Sequence, residues 1–119
     1  MDNELPKFIY FCKGRLLLKR HPRRYSCFTG KIILDCGYEY HLKNGYLHSE
    51  KDMPSMITKN SYRWYHYGKL HRTVLDKEGR QKPAIICSKG SRRYYINGKL
   101  HRNPDPDGTQ PPAVIDVRG

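Results

Sequence analysis

Tyr94-Tyr95-Ile96-Asn97-Gly98-Lys99-Leu100-His101-Arg102 and, upstream of it, Trp64-Tyr65-His66-Tyr67-Gly68-Lys69-Leu70-His71-Arg72 are two copies of one pattern. Each runs on through a polar connection to an acidic residue and a glycine, giving Glu78-Gly79-Arg80-Gln81-Lys82-Pro83-Ala84-Ile85-Ile86 and Asp107-Gly108-Thr109-Gln110-Pro111-Pro112-Ala113-Val114-Ile115. A worn copy, His41-Leu42-Lys43-Asn44-Gly45-Tyr46-Leu47-His48-Ser49, has Ser49 where the others carry Arg72 and Arg102. It shortens its connection and ends Pro54-Ser55-Met56-Ile57. Tyr10-Phe11-Cys12-Lys13-Gly14-Arg15-Leu16 and Phe28-Thr29-Gly30-Lys31-Ile32 echo the order aromatic, glycine, basic, aliphatic without the histidine. They read as degenerate copies at one end of the array, where a terminal unit has one neighbour instead of two.

The order has a physical meaning. A Tyr-rich run that enters Asn-Gly or Tyr-Gly and leaves through Lys-Leu-His-Arg is a hairpin signature, because glycine supplies the positive φ of a tight turn and aromatic rings suit a pleated surface. Period-two alternation then sets Leu70 and Leu100 on one face and Lys69, His71, Lys99 and His101 on the other. Pro83 and Pro112 open β-branched strands where a missing N–H does least harm. One hairpin cannot bury its own apolar face, so the units are expected to pair into a continuous meander.

The expected fold is therefore all-β, an antiparallel meander of repeated β-hairpins in a single domain spanning 1–119. A divergent hairpin region occupies 1–37 and hairpin repeats occupy 38–115, at about 38–57, 61–86 and 92–115. Gly45, His48, Gly68, Leu70, His71, Arg72, Pro83, Gly98, Leu100, His101, Arg102 and Pro112 are assigned to the repeat scaffold. The polar, proline-rich stretch 103–113 has room for a protruding loop.

Composition bounds the rest. A chain of 119 residues with 37% hydrophobic content leaves little apolar material for a thick core. Ten tyrosines against three phenylalanines and one tryptophan draw the packing surface from rings whose hydroxyls need water or a partner. The formal charge of +12 favours an oppositely charged partner: nucleic acid, an acidic protein surface or an anionic membrane. Cys12, Cys27, Cys36 and Cys87 make no CxxC pair, which excludes a zinc ribbon and a thioredoxin-like motif; in a reducing compartment they are expected as free thiols at mostly buried sites. Leu16-Leu17-Leu18 and Ile32-Ile33-Leu34 are too short to span a bilayer, and the N-terminus lacks a basic region followed by a long apolar run. The chain is expected to be soluble and not secreted by a signal peptide.

Catalytic constellations are scarce. His48, His71 and His101 hold one fixed place in the repeat, which points to a shared structural demand, a hydrogen bond across the hairpin from a ring nitrogen, rather than to one active centre. Odd spacing sends His66 and His71 to opposite faces of a strand unless the turn at Gly68 folds them together. Asp76, Glu78, Asp105 and Asp107 fall in connections, where solvated turn residues are the default. A glycine-rich phosphate loop, a nucleophile elbow and an HExxH segment are all missing from the sequence. The chain is accordingly read as no enzyme, with no metal and no cofactor.

The densest basic cluster is Lys19-Arg20-His21-Pro22-Arg23-Arg24, whose Lys19, Arg20, Arg23 and Arg24 are candidates for polyanion binding. Arg92 and Arg93 join them as candidates. Arg92-Arg93-Tyr94-Tyr95 and Tyr62-Arg63-Trp64-Tyr65 alternate cations with aromatics, as surfaces that track single-stranded nucleic acid do. The same rings occupy positions that the hairpin core needs.

Over about residues 38–115, the aromatic pair, Asn-Gly-Lys-Leu-His-Arg, then glycine and Pro-Ala-Val-Ile resembles a MORN-type repeat. It is similar, more closely, to the short hairpin repeats of small proteins of giant double-stranded DNA viruses and phages. Typical units set the acidic-Gly pair directly before Pro-Ala, whereas Arg80-Gln81-Lys82 and Thr109-Gln110-Pro111 intervene here. The resemblance implies a MORN-like repeat sheet used for contacts: a structural protein with protein partners in a larger assembly, such as a minor virion or capsid-cementing component, placed in the virion or the host-cell interior. The alternative is a basic nucleic-acid-binding protein. Oligomeric state, and open sheet against closed barrel, do not follow from the sequence.

Overall fold

Each repeat is two hairpins set end to end, and one buried ring marks the joint between them. The computed structural model describes residues 10–18, 21–25 and 27–117, with backbone alone at Tyr10, Cys12, Leu18 and 21–25. In chain order the strands are β1 (Tyr10–Cys12), β2 (Arg15–Leu18), β3 (His21–Tyr25), β4 (Gly30–Ile33), β5 (Glu39–Lys43), β6 (Tyr46–Leu47), β7 (Met56–Ile57) and β8 (Ser61–Arg63). They continue as β9 (Tyr65–His66), β10 (Lys69–Leu70), β11 (Ile85–Cys87), β12 (Arg92–Arg93), β13 (Tyr95–Ile96), β14 (Lys99–Leu100) and β15 (Val114–Ile115). The fold is all-β, and every strand pair is antiparallel.

The main sheet runs β1-β2-β6-β5-β7-β8-β11-β12-β15, with β3 also paired to β2 and β4 to β5. The ribbons β9-β10 and β13-β14 stand off it as separate two-stranded sheets. The chain leaves the sheet for a ribbon at Trp64 and again at Tyr94, which are 6% and 2% exposed. At each joint one N–H still bonds the sheet (Trp64 to the Ala84 carbonyl, 2.8 Å; Tyr94 to that of Ala113, 2.9 Å), while the backbone carbonyl of the same residue closes the ribbon by accepting the backbone N–H of His71 or His101. In the first unit His41 stands at this position and β5 runs through it unbroken. With extents of 57 × 29 × 23 Å the molecule is elongated along the stack. Its core is thin, as the composition requires: Ile32, Leu42, Leu47, Trp64, Ala84, Ile85 and Tyr94 are the buried apolar residues described.

Several expectations need correction. Lys13-Gly14 is a true turn copy, with φ of 51° and 74°, matching Asn44-Gly45, Tyr67-Gly68 and Asn97-Gly98. Phe28-Thr29-Gly30 is not. Gly30 opens β4 at φ 145°, and Phe28-Thr29 instead takes the place of a preceding Leu-His pair: the Phe28 carbonyl accepts from Gly45 N–H (2.7 Å) and Thr29 Oγ1 from Asn44 N–H (2.9 Å). The repeated leucines do not share one buried face, since Leu47 is 1% exposed and Leu100 51%. Cys27, Cys36 and Cys87 are free thiols, but Cys27 and Cys36 lie on the surface rather than in the core. Among the described residues no helix is long and apolar enough to cross a membrane.

Candidate functional site

The turns of successive ribbons stack into a row. Both central residues of each turn have positive φ, the geometry that closes a two-residue hairpin in register with twisted strands. Gly68 N–H donates to the Leu47 carbonyl and Gly98 N–H to that of Leu70, each at 2.8 Å. The residue before each glycine donates as well: Tyr67 N–H to His48 Nδ1 (3.2 Å) and Asn97 N–H to His71 Nδ1 (2.9 Å). The repeated histidine therefore bonds the turn of the next unit, not the opposite strand of its own hairpin as its spacing suggests.

This job demands an unprotonated Nδ1. Burial pushes the His48 and His71 imidazoles below their ordinary range, and the neighbouring His66 adds to the effect in both. The turn at Gly68 does fold His66 towards His71 (ring centroids 5.5 Å apart), while His48 lies 4.8 Å from His66. Among the described residues no group of three or more His, Cys, Asp or Glu side chains is placed to hold a metal ion.

Arginines lock the other side of the stack. Arg72, 8% exposed, lies 3.7 Å over the Trp64 ring, donates from Nε and Nη2 to the two carboxylate oxygens of Asp52 (2.9 Å each), and from Nη1 to the Pro83 carbonyl (3.1 Å). Those hydrogen bonds hold the Asp52 carboxyl below its ordinary range. Arg102 repeats the stack, 4.0 Å over Tyr94, and the bond to Pro112 (3.2 Å). Among the described residues it has no carboxylate, and its buried Nε finds no acceptor. The residue in the Asp52 place is Gln81, which gives Nε2–H to the Arg72 carbonyl and accepts Asn103 N–H at Oε1 (2.7 Å).

Beside the turn row lies an open groove of about 900 Å³, its walls including Lys13, Arg15, Tyr46, Tyr65, Tyr67 and Lys69. The Arg15 guanidinium stands 4.8 Å from the Tyr46 ring centre, Lys43 Nζ 5.7 Å from that of Tyr67, and Tyr46 and Tyr67 meet edge to face at 6.5 Å. Lys43 is spoken for by Glu50 (3.4 Å), which also reaches His48 Nε2 (3.3 Å). Among the described residues no carboxylate pairs with Lys13 or Lys69.

Of the candidate polyanion-binding residues, Lys19 and Arg20 lie outside the described residues. Arg23 and Arg24 are on β3, with their side chains outside the description. Arg92 and Arg93 are exposed on β12. Six strand steps separate β12 from β2, the partner of β3, which at about 4.8 Å per step is roughly 29 Å. The two clusters do not form one surface, and Trp64 and Tyr94 are too buried to stack on a base. Asp52, Gln81 and, in the groove, Tyr46 and Tyr67 escaped the sequence reading as site residues, whereas Tyr65 belongs to the Tyr62-Arg63-Trp64-Tyr65 run noted there. The first two had a signal: Asp52, Gln81 and Gln110 each stand two residues before the proline that precedes the inner strand.

Comparison with known proteins finds no family model that matches the chain, and no curated protein or solved structure similar to it.

Proposed function

We propose that the chain is a non-enzymatic interaction scaffold, a stack of MORN-like hairpin units that holds protein partners in a larger assembly, such as a minor virion or capsid-cementing component of a large DNA virus. The observation that carries this reading is the employment of the repeated histidines: the Nδ1 atoms of His48 and His71, which a general base would need free, accept backbone N–H groups from the next unit. Arg72 and Arg102 are likewise spent on rings and carbonyls inside the stack. What is left to face a partner is the turn row, the groove and the sheet edges. A photoreactive amino acid at Tyr67, activated in cells that make the protein, tests this. Adducts with structural proteins are the expected product, and adducts confined to nucleic acid overturn the reading.

One observation favours the second reading, a nucleic-acid binder: Lys13 and Lys69, without carboxylate partners among the described residues, flank Tyr46, Tyr65 and Tyr67 in the groove. It expects affinity for short single strands that collapses between about 50 and 200 mM salt and that drops when Lys13 and Lys69 are changed to Gln. No binding at the lower salt removes it.

A further inference from the structure

Beyond the turn row, the groove and the edges, the main sheet carries a row of apolar side chains on a partly exposed face. Residues directly opposite each other on antiparallel strands point to the same face. The register sets Glu39 of β5 opposite Ile57 of β7, Ile57 opposite Tyr62 of β8, Tyr62 opposite Ile86 of β11, and Ile86 opposite Arg92 of β12. Ile33 of β4 follows beyond Glu39, and Ile115 of β15 beyond Arg92. Ile33 is 54% exposed and Tyr62 49%, while Ile57, Ile86 and Ile115 are half-buried. Ile32 and Ile85, which point to the opposite face, are buried. An antiparallel sheet with one face in water alternates apolar-in with polar-out. Here the residue that ends the inner strand of each unit and points outward is isoleucine every time, at 57, 86 and 115.

The order of the row is its own complement. From Tyr62 it runs through Ile57 to Glu39 on one side and through Ile86 to Arg92 on the other. A second copy, turned about a twofold axis along β8 and laid face to face, sets Tyr62 on Tyr62, Ile57 on Ile86 and Glu39 on Arg92, the last two contacts each made twice. An axis along the row would instead set Glu39 on Glu39 and Arg92 on Arg92, so charge selects the first orientation. Arg92 has no carboxylate partner among the described residues. Glu39 Oε2 accepts from His41 Nε2 (3.0 Å) and Oε1 has Lys31 Nζ at 3.7 Å, which leaves the carboxylate acceptor positions for an arginine.

We propose that this row is the interface of a homodimer, two copies of the main sheet packed face to face with the Tyr62 side chains on the twofold axis. Sheets packed in this way lie about 10 Å apart with their strands aligned within about 30°. The stretch from Glu39 to Arg92 covers four strand steps, roughly 19 Å, which is small for a specific interface, so the dimer is a weak one with a Kd of about 10–100 μM. The inference does not rest on the scaffold reading: Tyr67, where partner adducts are sought, sits in the turn of the β9-β10 ribbon, off the main sheet.

Sedimentation equilibrium from about 1 μM to about 1 mM chain is expected to show a monomer–dimer equilibrium. Tyr62→Glu, at an exposed position, sets like charges on the axis and is expected to weaken association about ten-fold or more, as are Arg92→Glu and Glu39→Arg singly. An equimolar mixture of those last two variants is expected to recover it, because every charged contact in the mixed dimer again joins an arginine to a glutamate. Where Glu39→Arg fails to fold, having lost its bonds to His41 and Lys31, Tyr62→Glu decides. A chain that stays monomeric throughout the range, a dimer indifferent to Tyr62→Glu, or a mixture of folded variants that associates no better than either alone overturns the proposal.

Discussion

Arg72→Ala measures how strongly one unit is locked to the next. The guanidinium is 8% exposed, doubly bonded to Asp52, bonded to the Pro83 carbonyl and stacked on Trp64. Removing one partner of a buried ion pair costs about 3–5 kcal/mol. Asp52, whose side chain is 26% exposed and keeps Lys82 at 3.6 Å, can recover part of its hydration, so the expected loss lies near the bottom of that range, about 3 kcal/mol. Arg102→Ala removes the same stacking and one carbonyl bond but no carboxylate, and it relieves a buried Nε that has no acceptor, so its cost is about 1 kcal/mol. The difference of about 2 kcal/mol is read as the separation of urea midpoints at constant m. A double-mutant cycle with Asp52→Asn is expected to give a coupling of about 1.5–2 kcal/mol. Because Asp52 titrates below its ordinary range, its contribution is complete above the unfolded value, about 3.9, and is lost as pH falls through the lower folded value. The acid limb of stability should therefore shrink in Arg72→Ala. Equal losses in the two arginine variants, or a coupling under about 0.5 kcal/mol, would refute the argument.

Protonating His48 or His71 at Nδ1 removes the acceptor for the next turn. Both imidazoles titrate below the ordinary value, so their contribution is complete above about pH 6.5 and lost as pH falls through the lower folded values. The groups facing His48 are His66, Tyr67, Lys43 and Glu50, and His66 faces His71. A melting temperature that falls on acidification, with a slope reduced in a His48→Gln/His71→Gln variant, is the expected result. At neutral pH His71→Ala should cost about 1 kcal/mol and His101→Ala close to nothing, compared by urea unfolding, because only His71 accepts a backbone N–H. Gly68 and Gly98 have nearly equal φ, 83° and 81°, and their Ala variants share a conformational cost of about 1–2 kcal/mol. A Cβ at Gly68 would sit 2.8 Å from the Lys13 carbonyl oxygen and one at Gly98 3.6 Å from its nearest atom, so Gly68→Ala should melt distinctly lower. Native Cys27 and Cys36 should react with a thiol reagent well before the half-buried Cys87, as peptide mapping after brief labelling would show.

How much of this was legible in advance depended on the range of the interaction responsible. The Asn97-Gly98 and Tyr67-Gly68 turns are local events: two residues with positive φ close a hairpin wherever they stand, and the flanking Tyr, Lys and Leu suit the strands. The all-β meander followed, because short ribbons must pair to bury anything at all. The Asn97 N–H that His71 accepts and the Asp52 carboxylate that Arg72 grips were not legible, since they lie in neighbouring units and their identity depends on how far each ribbon is offset from the last. Asp52 and Gln81 occupy the same place before Pro54 and Pro83, yet one holds an arginine and the other a backbone N–H, and only the stacked geometry distinguishes these tasks.

The sequence by itself thus determined the hairpins, their turns and the repeated order of side chains, all properties of chain segments a few residues long. Tertiary structure alone decided the rest. It turned Phe28-Thr29 into a cap instead of another turn, held the Arg92-Arg93 pair six strand steps, about 29 Å, from β2, the partner of the basic strand β3, and left Leu100 exposed where Leu47 is buried. Each of these outcomes depends on which unit lies beside which, and no local φ preference or side-chain period carries that information.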